Sequence, residues 1–547
     1  MSDALGGPAD ASAGLVVHGA DAVDRSAPAS TRDALVARRV PARLAAKDPT
    51  LWGPEAEAEA RARLGWLDTH RRSLELLPQL AELTAELADL DHVVLAGMGG
   101  SSLAAEVIAR TLGRPLTVLD TTDPGQVRRA LADRLDRTVV VLASKSGSTV
   151  ETDSHWRAYR QAFRDTGLTE AEAGRHFVVV TDPGSPLEAV AAGLGAITVP
   201  ADPEVGGRYS ALTAFGLVPA ALAGVEVTEL LEEAEALAGT LGRDRDNPGL
   251  ALGAALGAAA TGGRDKVALV PDGTGLEGLG HWIEQLLAES TGKAGLGVLP
   301  VPLESPAAPG GLGPDVLTVS YGGSLAPGAV PGGGRAPDVA VNGSLGAQFL
   351  TWEYATAIVG AVLGVNPFDQ PNVAESKENA VRLLASGVPA RPPSSTEGAI
   401  EVYAPAGTPV DVAGALRHLA CGIDDGGYLA VMAYLDRLGD AAVARLRPLL
   451  ANVTDRPVTF GWGPRFLHST GQYHKGGPRV GSFLQLTGTV DDDLPVPGKP
   501  YSFGGLQAAQ AAGDRQALAD RGRPVLRLHL TDRSAGVAQL LDAARQL

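Results

Sequence analysis

Between Val93 and Val199 the chain repeats one pattern. A short run of β-branched and aliphatic residues is followed by turn residues and then by a helical stretch. The runs are Val93–Ala96, Leu116–Leu119, Val139–Ala143, Phe177–Val180 and Ile197–Val199. Strands that read as continuous apolar runs are buried on both faces. Strands separated by helices pair in parallel, so the pattern demands a parallel sheet covered by helices on each side. A second series begins at Lys266–Val270, continues with Val316–Val319 and Val339–Val341, and ends in a long apolar helix, Leu345–Leu363. The expected fold class is therefore α/β, with two doubly wound parallel-sheet domains. At 547 residues the chain has room for about three units of ordinary size.

The expected divisions follow composition. Residues 1–30, rich in Ala, Gly and Asp, read as a disordered tail. Residues 31–84 carry Leu64, Leu67, Leu74, Leu77, Leu80 and Leu83 at helical spacing and form an N-terminal helical segment. Residues 85–262 hold the first α/β domain and an Ala/Leu-rich helical bridge, and 263–450 the second domain. Residues 451–547 complete either the second domain or the active site. The runs Ala399–Tyr403, Tyr428–Leu435, Val458–Phe460 and Val525–Leu530 either extend the second sheet or form a third unit. The Gly/Pro-rich stretch 305–336 reads as a loop around one short strand.

A formal net charge of −17 argues against nucleic acid or an anionic membrane as partner. Cys421 is the single cysteine, so no intrachain disulfide and no thiolate metal site can form. No HExxH-type spacing occurs, and neither a metal nor another cofactor is expected. The first residues lack the apolar core of a signal peptide, and no run reaches membrane-spanning length; a cytoplasmic protein is expected.

The densest chemistry lies at Ser144-Lys145-Ser146-Gly147-Ser148-Thr149-Val150-Glu151-Thr152, directly after the buried run Thr138–Ala143. Hydroxyls, turn N–H groups and the positive end of a helix all favour a phosphate dianion. The alternative is a turn whose hydroxyls only cap the next helix. Gly97-Met98-Gly99-Gly100-Ser101-Ser102 ends another strand of the same series, and ligands of open α/β sheets sit at the carboxyl ends of strands. It departs from the dinucleotide fingerprint because Ser102 replaces the third glycine. Arg208, in Gly206-Gly207-Arg208-Tyr209-Ser210, suits an anion or a developing oxyanion, or is a surface arginine after a turn. Gln285 and Glu289 share one helix face, with Glu289 near the C-terminal end, where the dipole disfavours a carboxylate. That placement suits a proton acceptor, although a solvated glutamate is the commoner case. His468 and His474 flank Gln472, beside Lys475.

Taken together, these segments resemble the glucose-6-phosphate isomerase (phosphoglucose isomerase) family. Gly97–Ser102 is similar to its G-x-G-G-S loop and Ser144–Thr152 to its phosphate loop. Gly206–Ser210 resembles G-G-R-[FY]-S, Gln285–Lys293 resembles Q-x-x-x-E-S-x-G-K, Asn366–Lys377 resembles N-P-F-D-Q-P-x-V-x-x-x-K, and His468–Gln472 resembles H-S-x-G-Q. The nearest likeness is to the isomerase part of actinobacterial transaldolase/phosphoglucose isomerase fusions.

The resemblance implies two sugar-isomerase (SIS, flavodoxin-like) domains with a helical N-terminal and a mixed C-terminal extension. It implies metal-independent exchange of glucose 6-phosphate and fructose 6-phosphate through an enediol, in glycolysis and gluconeogenesis. Gly100, Ser101, Ser144, Lys145, Ser146, Ser148 and Thr149 would hold the sugar phosphate. Glu289 would be the base, with Gln285 beside it. Arg208 would stabilise the enediolate, and His468 and Lys377 would assist ring opening. The H-S-x-G-Q segment follows the F-D-Q turn here instead of preceding it, which keeps His474 open as a rival to His468. The partner implied is a small sugar phosphate, and the family's dimeric habit allows a homodimer. A dual phosphoglucose/phosphomannose isomerase, and a non-catalytic sugar-phosphate sensor, are the alternatives. The sensor has no need of Gln285, Glu289 and Lys377.

Overall fold

The computed structural model describes residues 10–12, 14–326, 336–389, 391–523 and 525–547. Three sheets run through it. The N-terminal sheet has the spatial order Thr117–Leu119, His92–Gly97, Thr138–Ala143, Phe177–Thr181, Ile197–Pro200, all parallel. Its pleat divides the side chains as a doubly wound sheet requires. Val93 and Leu95 face one core, and Val94 and Ala96 face another beneath Tyr159, Phe163 and Phe177.

In the middle sheet Leu299–Pro302, Lys266–Pro271, Val316–Gly322 and Val339–Gly343 pair in parallel. Leu15–His18 then adds antiparallel to Val339–Gly343. This corrects the expected tail: from Leu15 the chain is built into the sheet, with Leu15 and Val17 buried, and only residues 1–9 and 13 lie outside the description. Four residues were too few to register as a strand among the Ala and Gly around them. The loop 305–336 does enclose one strand, Val316–Gly322, and its residues 327–335 lie outside the description.

The third sheet decides what the sequence left open. Its order is Ser395–Glu397, Ile400–Tyr403, Val525–Leu530, Gly481–Gly488, Tyr428–Tyr434, Val458–Trp462, and none of these pairs with the middle sheet. The expected division at residue 450 therefore falls inside a sheet, because Tyr428–Tyr434 pairs with Val458–Trp462 across helix Leu446–Thr454. Leu429, Val431 and Ala433 face a core of this unit's own, whereas Tyr428, Ala430, Met432 and Tyr434 pack with Ala268, Val270, Leu299 and Val301 of the middle sheet.

The stretch expected as a bridge is core. Helix Pro248–Thr261 lies against Leu345–Leu363 through Gly249, Gly253 and Gly257. A Cβ at Gly253 would stand 2.8 Å from Ile358 Cβ, so the two helices approach at a distance that no larger residue permits. Among the described residues no helix is long and apolar enough to cross a membrane.

Candidate active site

In the N-terminal sheet the first and third strands in sequence are neighbours, so their connections leave toward opposite faces and open a crevice at their carboxyl ends. Both chemistry-bearing loops start there, from the paired positions Gly97 and Ala143. The glycine loop is pressed against two other parts of the chain. A Cβ at Gly99, whose φ is +54°, would lie 2.7 Å from both Gln285 Nε2 and the His468 carbonyl, and one at Gly100 would lie 2.1 Å from the Gly207 carbonyl.

The second loop turns at Gly147, with φ +66°. Its hydroxyls contact one another, Ser144 Oγ with Thr149 Oγ1 at 2.8 Å and Ser146 Oγ with Ser148 Oγ at 3.0 Å. Thr149 is the N-cap of helix Val150–Asp165 but its side chain does not cap it. Ser102, before helix Leu103–Thr111, does not cap either. Two helix N-termini without a side-chain cap thus open beside the hydroxyls, and Ser101 is buried next to them. Lys145 is tied elsewhere: its Nζ reaches Asp182 Oδ1 at 2.8 Å and the Asp202 carbonyl at 3.0 Å. Burial pushes this ammonium's pKa down.

Helix Leu279–Thr291 presents Gln285 and Glu289 to the crevice. Gln285 Nε2 donates to Glu289 Oε2 at 3.0 Å and to the His468 carbonyl at 2.8 Å. Arg208 is buried and its guanidinium is immobilised. Nε donates to Ser290 Oγ at 2.8 Å, Nη1 to Gln370 Oε1 at 2.9 Å, and Nη2 to the carbonyls of Pro367 and Asp369 at 2.6 and 2.9 Å. Nη1 also lies 3.5 Å from Glu289 Oε1, so a fixed positive charge adjoins the carboxylate. Lys293, at the end of the same helix, grips the Asn366–Pro371 turn through the Asn366 carbonyl and through Asp369 O and Oδ1, both at 2.6 Å. Burial, and then repulsion from Arg208, bring its pKa down to about 7.

His468 arrives from the third sheet, in the turn Arg465–His468 after strand Val458–Trp462. Its Nε2 lies 3.1 Å from Glu151 Oε1. Gln510 Nε2 donates to that same oxygen at 2.7 Å, and Thr122 Oγ1 donates to Gln510 Oε1 at 2.8 Å. Burial alone would raise the Glu151 pKa, but the charge and hydrogen bond of His468, followed by a backbone hydrogen bond at Glu151 and the charge of Lys377, hold it at about 2. Glu151 is therefore an anion against His468. The Lys377 side chain is itself exposed, on helix Val373–Ser386.

The histidine turn is fastened to the N-terminal unit by Arg465, whose Nη2 and Nη1 reach Glu106 and Asp120 at 2.6 and 2.5 Å. Arg437 adds a bond to Glu106 at 3.0 Å. Burial would raise the Glu106 pKa; the two guanidiniums hold it well below the usual carboxylate range. His474 lies elsewhere, fully buried among Tyr428, Phe466 and Phe483 with its pKa driven down by burial. A larger cavity of about 980 Å³ lies beyond the Arg465 turn and is lined by none of the residues expected to act.

The structure thus brings together Glu289, Gln285, Arg208 and His468 against Gly99, next to the two loops. Glu151, Gln510, Thr122, Gln370 and Arg465 join them without having been singled out. Glu151 and Gln370 stand inside motifs quoted above, two residues past Thr149 and in the F-D-Q turn, and a charge beside a phosphate loop was the available signal for the first. Gln510 sits in an Ala/Gln-rich helix with no local signal.

The fold is one that a solved sugar-phosphate isomerase shares. A hypothetical protein from Thermus thermophilus superposes with a TM-score of 0.53 at 25% identity, covering 67% of this chain and 97% of its own. A glucose-6-phosphate isomerase from Chlamydia trachomatis shares the fold at 20% identity with a TM-score of 0.54, covering 69% of this chain and 90% of its own. Residues 83–296 match the family model described as phosphoglucose isomerase. A glucose-6-phosphate isomerase of Rubrobacter xylanophilus is 31% identical over 373 residues, 56% of this chain and 85% of the relative. The chain belongs to the glucose-6-phosphate isomerase family. A "Probable glucose-6-phosphate isomerase" of Haloarcula marismortui is 37% identical over 224 residues, and that match spans 40% of this chain and 51%, about half, of the relative's length.

Proposed function

We propose that the protein interconverts glucose 6-phosphate and fructose 6-phosphate through an enediol. The observation that carries this reading is the Glu289 carboxylate, flanked by a fixed guanidinium at 3.5 Å and held by Gln285, with a histidine–carboxylate pair facing it across the glycine loop. The phosphate is held by Gly100, Ser101, Ser144, Ser146, Ser148, Thr149 and the two helix N-termini, with Lys145 contributing charge. Its binding energy fixes the open chain in a reactive pose.

His468 gives a proton to the ring oxygen while the hydroxyl at the anomeric carbon passes its own to a solvent water, Lys377 assists, and the ring opens. Glu289 removes the proton from C2 of the aldose and returns it to C1, or the reverse. Arg208 sits beside the enediolate oxygens while they carry negative charge. Its donors are already committed to Ser290, Gln370 and backbone carbonyls, so it contributes field without reorganising.

The proposal includes metal-independent turnover, a cytoplasmic enzyme and a homodimer. Its test is formation of glucose 6-phosphate from fructose 6-phosphate, coupled to a dehydrogenase, with EDTA present. Turnover supports metal-independent isomerisation. Absence of turnover while fructose 6-phosphate still raises the melting temperature leaves only a phosphate site and overturns the catalytic assignment.

A further inference from the structure

The four parallel strands of the third sheet have the same winding as the N-terminal sheet. The strand first in sequence, Tyr428–Tyr434, lies between the second, Val458–Trp462, and the third, Gly481–Gly488. By the argument that places the catalytic crevice, a ligand crevice is expected at the carboxyl ends of Tyr428–Tyr434 and Gly481–Gly488. A cavity of about 320 Å³ lies there, lined by Tyr434, Thr487 and Gly488 at those ends and roofed by Gly504, Ala508, Ala511 and Ala512. The small residues of helix Phe503–Ala519 leave the space open.

The polar groups around it are unbalanced. Arg515 and Arg527 both line the cavity, and among the described residues neither has a carboxylate partner. Arg515 Nη1 donates only to Gln485 Oε1 at 3.0 Å, and the Arg527 guanidinium stacks 3.5 Å from the Tyr403 ring centre. Two carboxylates act on them beyond ion-pair range, Asp514 on Arg515 and Glu401 on Arg527, and both are engaged elsewhere, Asp514 with Lys475 at 2.6 Å and Glu401 with the Tyr403 hydroxyl at 2.7 Å. Gln507 is 4% exposed, lines the same cavity, and its Nε2 has no hydrogen-bond partner. His529 completes the lining, its ring nitrogens on the hydroxyls of Thr487 and Thr489 at 2.9 and 3.3 Å. Burial and then repulsion from Arg527 and Arg391 bring the Arg515 pKa down to about 10, which is the electrostatic cost of guanidiniums left without an anion.

We propose that this crevice is a second anion site, taking a phosphate group that is either free orthophosphate or the phosphoryl end of a small phosphorylated metabolite. Donors without an acceptor, two unpaired guanidiniums and a cavity the size of about ten waters at ~30 Å³ each describe a receptor for a compact polyvalent anion. The site is separate from the catalytic loops, and its helix carries Gln510 of the Glu151 network one turn beyond Gln507.

Equilibrium dialysis of the full chain against labelled orthophosphate tests it. Two sites per chain are expected in the wild type. One should remain in R515Q/R527M and one in S144A/T149A, with the two variants losing different sites. Orthophosphate should also raise the melting temperature of S144A/T149A, whereas R515Q/R527M combined with S144A/T149A should melt at the same temperature with or without it. Orthophosphate binding that is unchanged between the wild type and R515Q/R527M overturns the proposal. Binding of glycerol phosphate at least tenfold tighter than orthophosphate at this site assigns it to an esterified phosphate, and equal or weaker binding to the free ion. Failure of the isomerase reading would remove only the site that S144A/T149A loses and would leave the difference between the wild type and R515Q/R527M in place.

Discussion

Replacing Glu151 with glutamine keeps the shape of the side chain and removes one charge from beside His468. That charge lies 3.1 Å from His468 Nε2, and the same oxygen accepts from Gln510 at 2.7 Å. Although burial opposes ionisation, the carboxyl is held at about 2 against an ordinary value of 4.5. The gap, 4.5 minus about 2, favours the anion by roughly 3 kcal/mol at ~1.36 kcal/mol per tenfold. The contact is mutual, so the His468 ring loses its partner charge in the variant. kcat should therefore fall by up to about 100-fold, the lower end of what a positioned acid contributes. KM for fructose 6-phosphate should stay within about threefold, since the residues holding the phosphate are unchanged. The coupled assay run from about pH 5.5 to 9.5 reads both quantities. A folded pKa below the unfolded value also means that Glu151 stabilises the fold above about pH 4.5 and loses that effect as pH falls toward 2. The stability difference between wild type and E151Q should then shrink in the same window. A variant with wild-type turnover would refute the reasoning.

Three further outcomes are expected. Glu289→Gln should lower kcat by orders of magnitude with little change in KM, measured in the same assay; near-normal turnover would remove Glu289 from the chemistry. Lys293 has a folded pKa of about 7 against 10.5 unfolded, so the unfolded chain binds the extra proton between them and stability should rise with pH from about 7 to 10, by at most about 5 kcal/mol. Denaturant melts of the wild type should show that rise, and Lys293→Met should lack it. Arg465→Met leaves Glu106 and Asp120 with Arg437 alone and should cost about 3–5 kcal/mol, with kcat falling more than KM as the His468 turn loosens; denaturant melts and kinetics that match the wild type would show the clamp to be idle.

The N-terminal sheet was legible because each strand is a short apolar run bounded by turn residues, and every residue of Thr138–Ala143 is indeed buried. Leu299-Pro300-Val301-Pro302 was not, because two prolines argue against a strand, and it lies at a sheet edge where they are tolerated. Gly481–Gly488 mixes Gly, Ser, Gln and Thr with its apolar residues, and its partners are set by tertiary packing. Whether the C-terminal strands joined the second sheet depended on pairing, which local pattern does not encode. In the site, the loops, Arg208, Gln285, Glu289 and His468 are marked by motifs. The sequence leaves His468 and His474 as rivals because the H-S-x-G-Q segment follows the F-D-Q turn; the structure puts the His468 ring against Glu151 and the His474 ring in the core. The salt bridges of Lys145 with Asp182 and of Arg465 with Glu106 join residues far apart in sequence, where no periodicity could announce them.

The origin of His468 in the third sheet has a consequence for synthesis. The ribosome delivers the phosphate loops, Arg208 and Glu289 first, and domains generally fold as they emerge. His468 reaches its carboxylate only after the strands that frame its turn have paired, the last of them ending at Leu530. On the proposed function, a nascent chain that has not yet reached His468 carries the loops proposed to hold the phosphate without the histidine proposed to open the ring. Competence for the proposed reaction would thus report on the completion of folding.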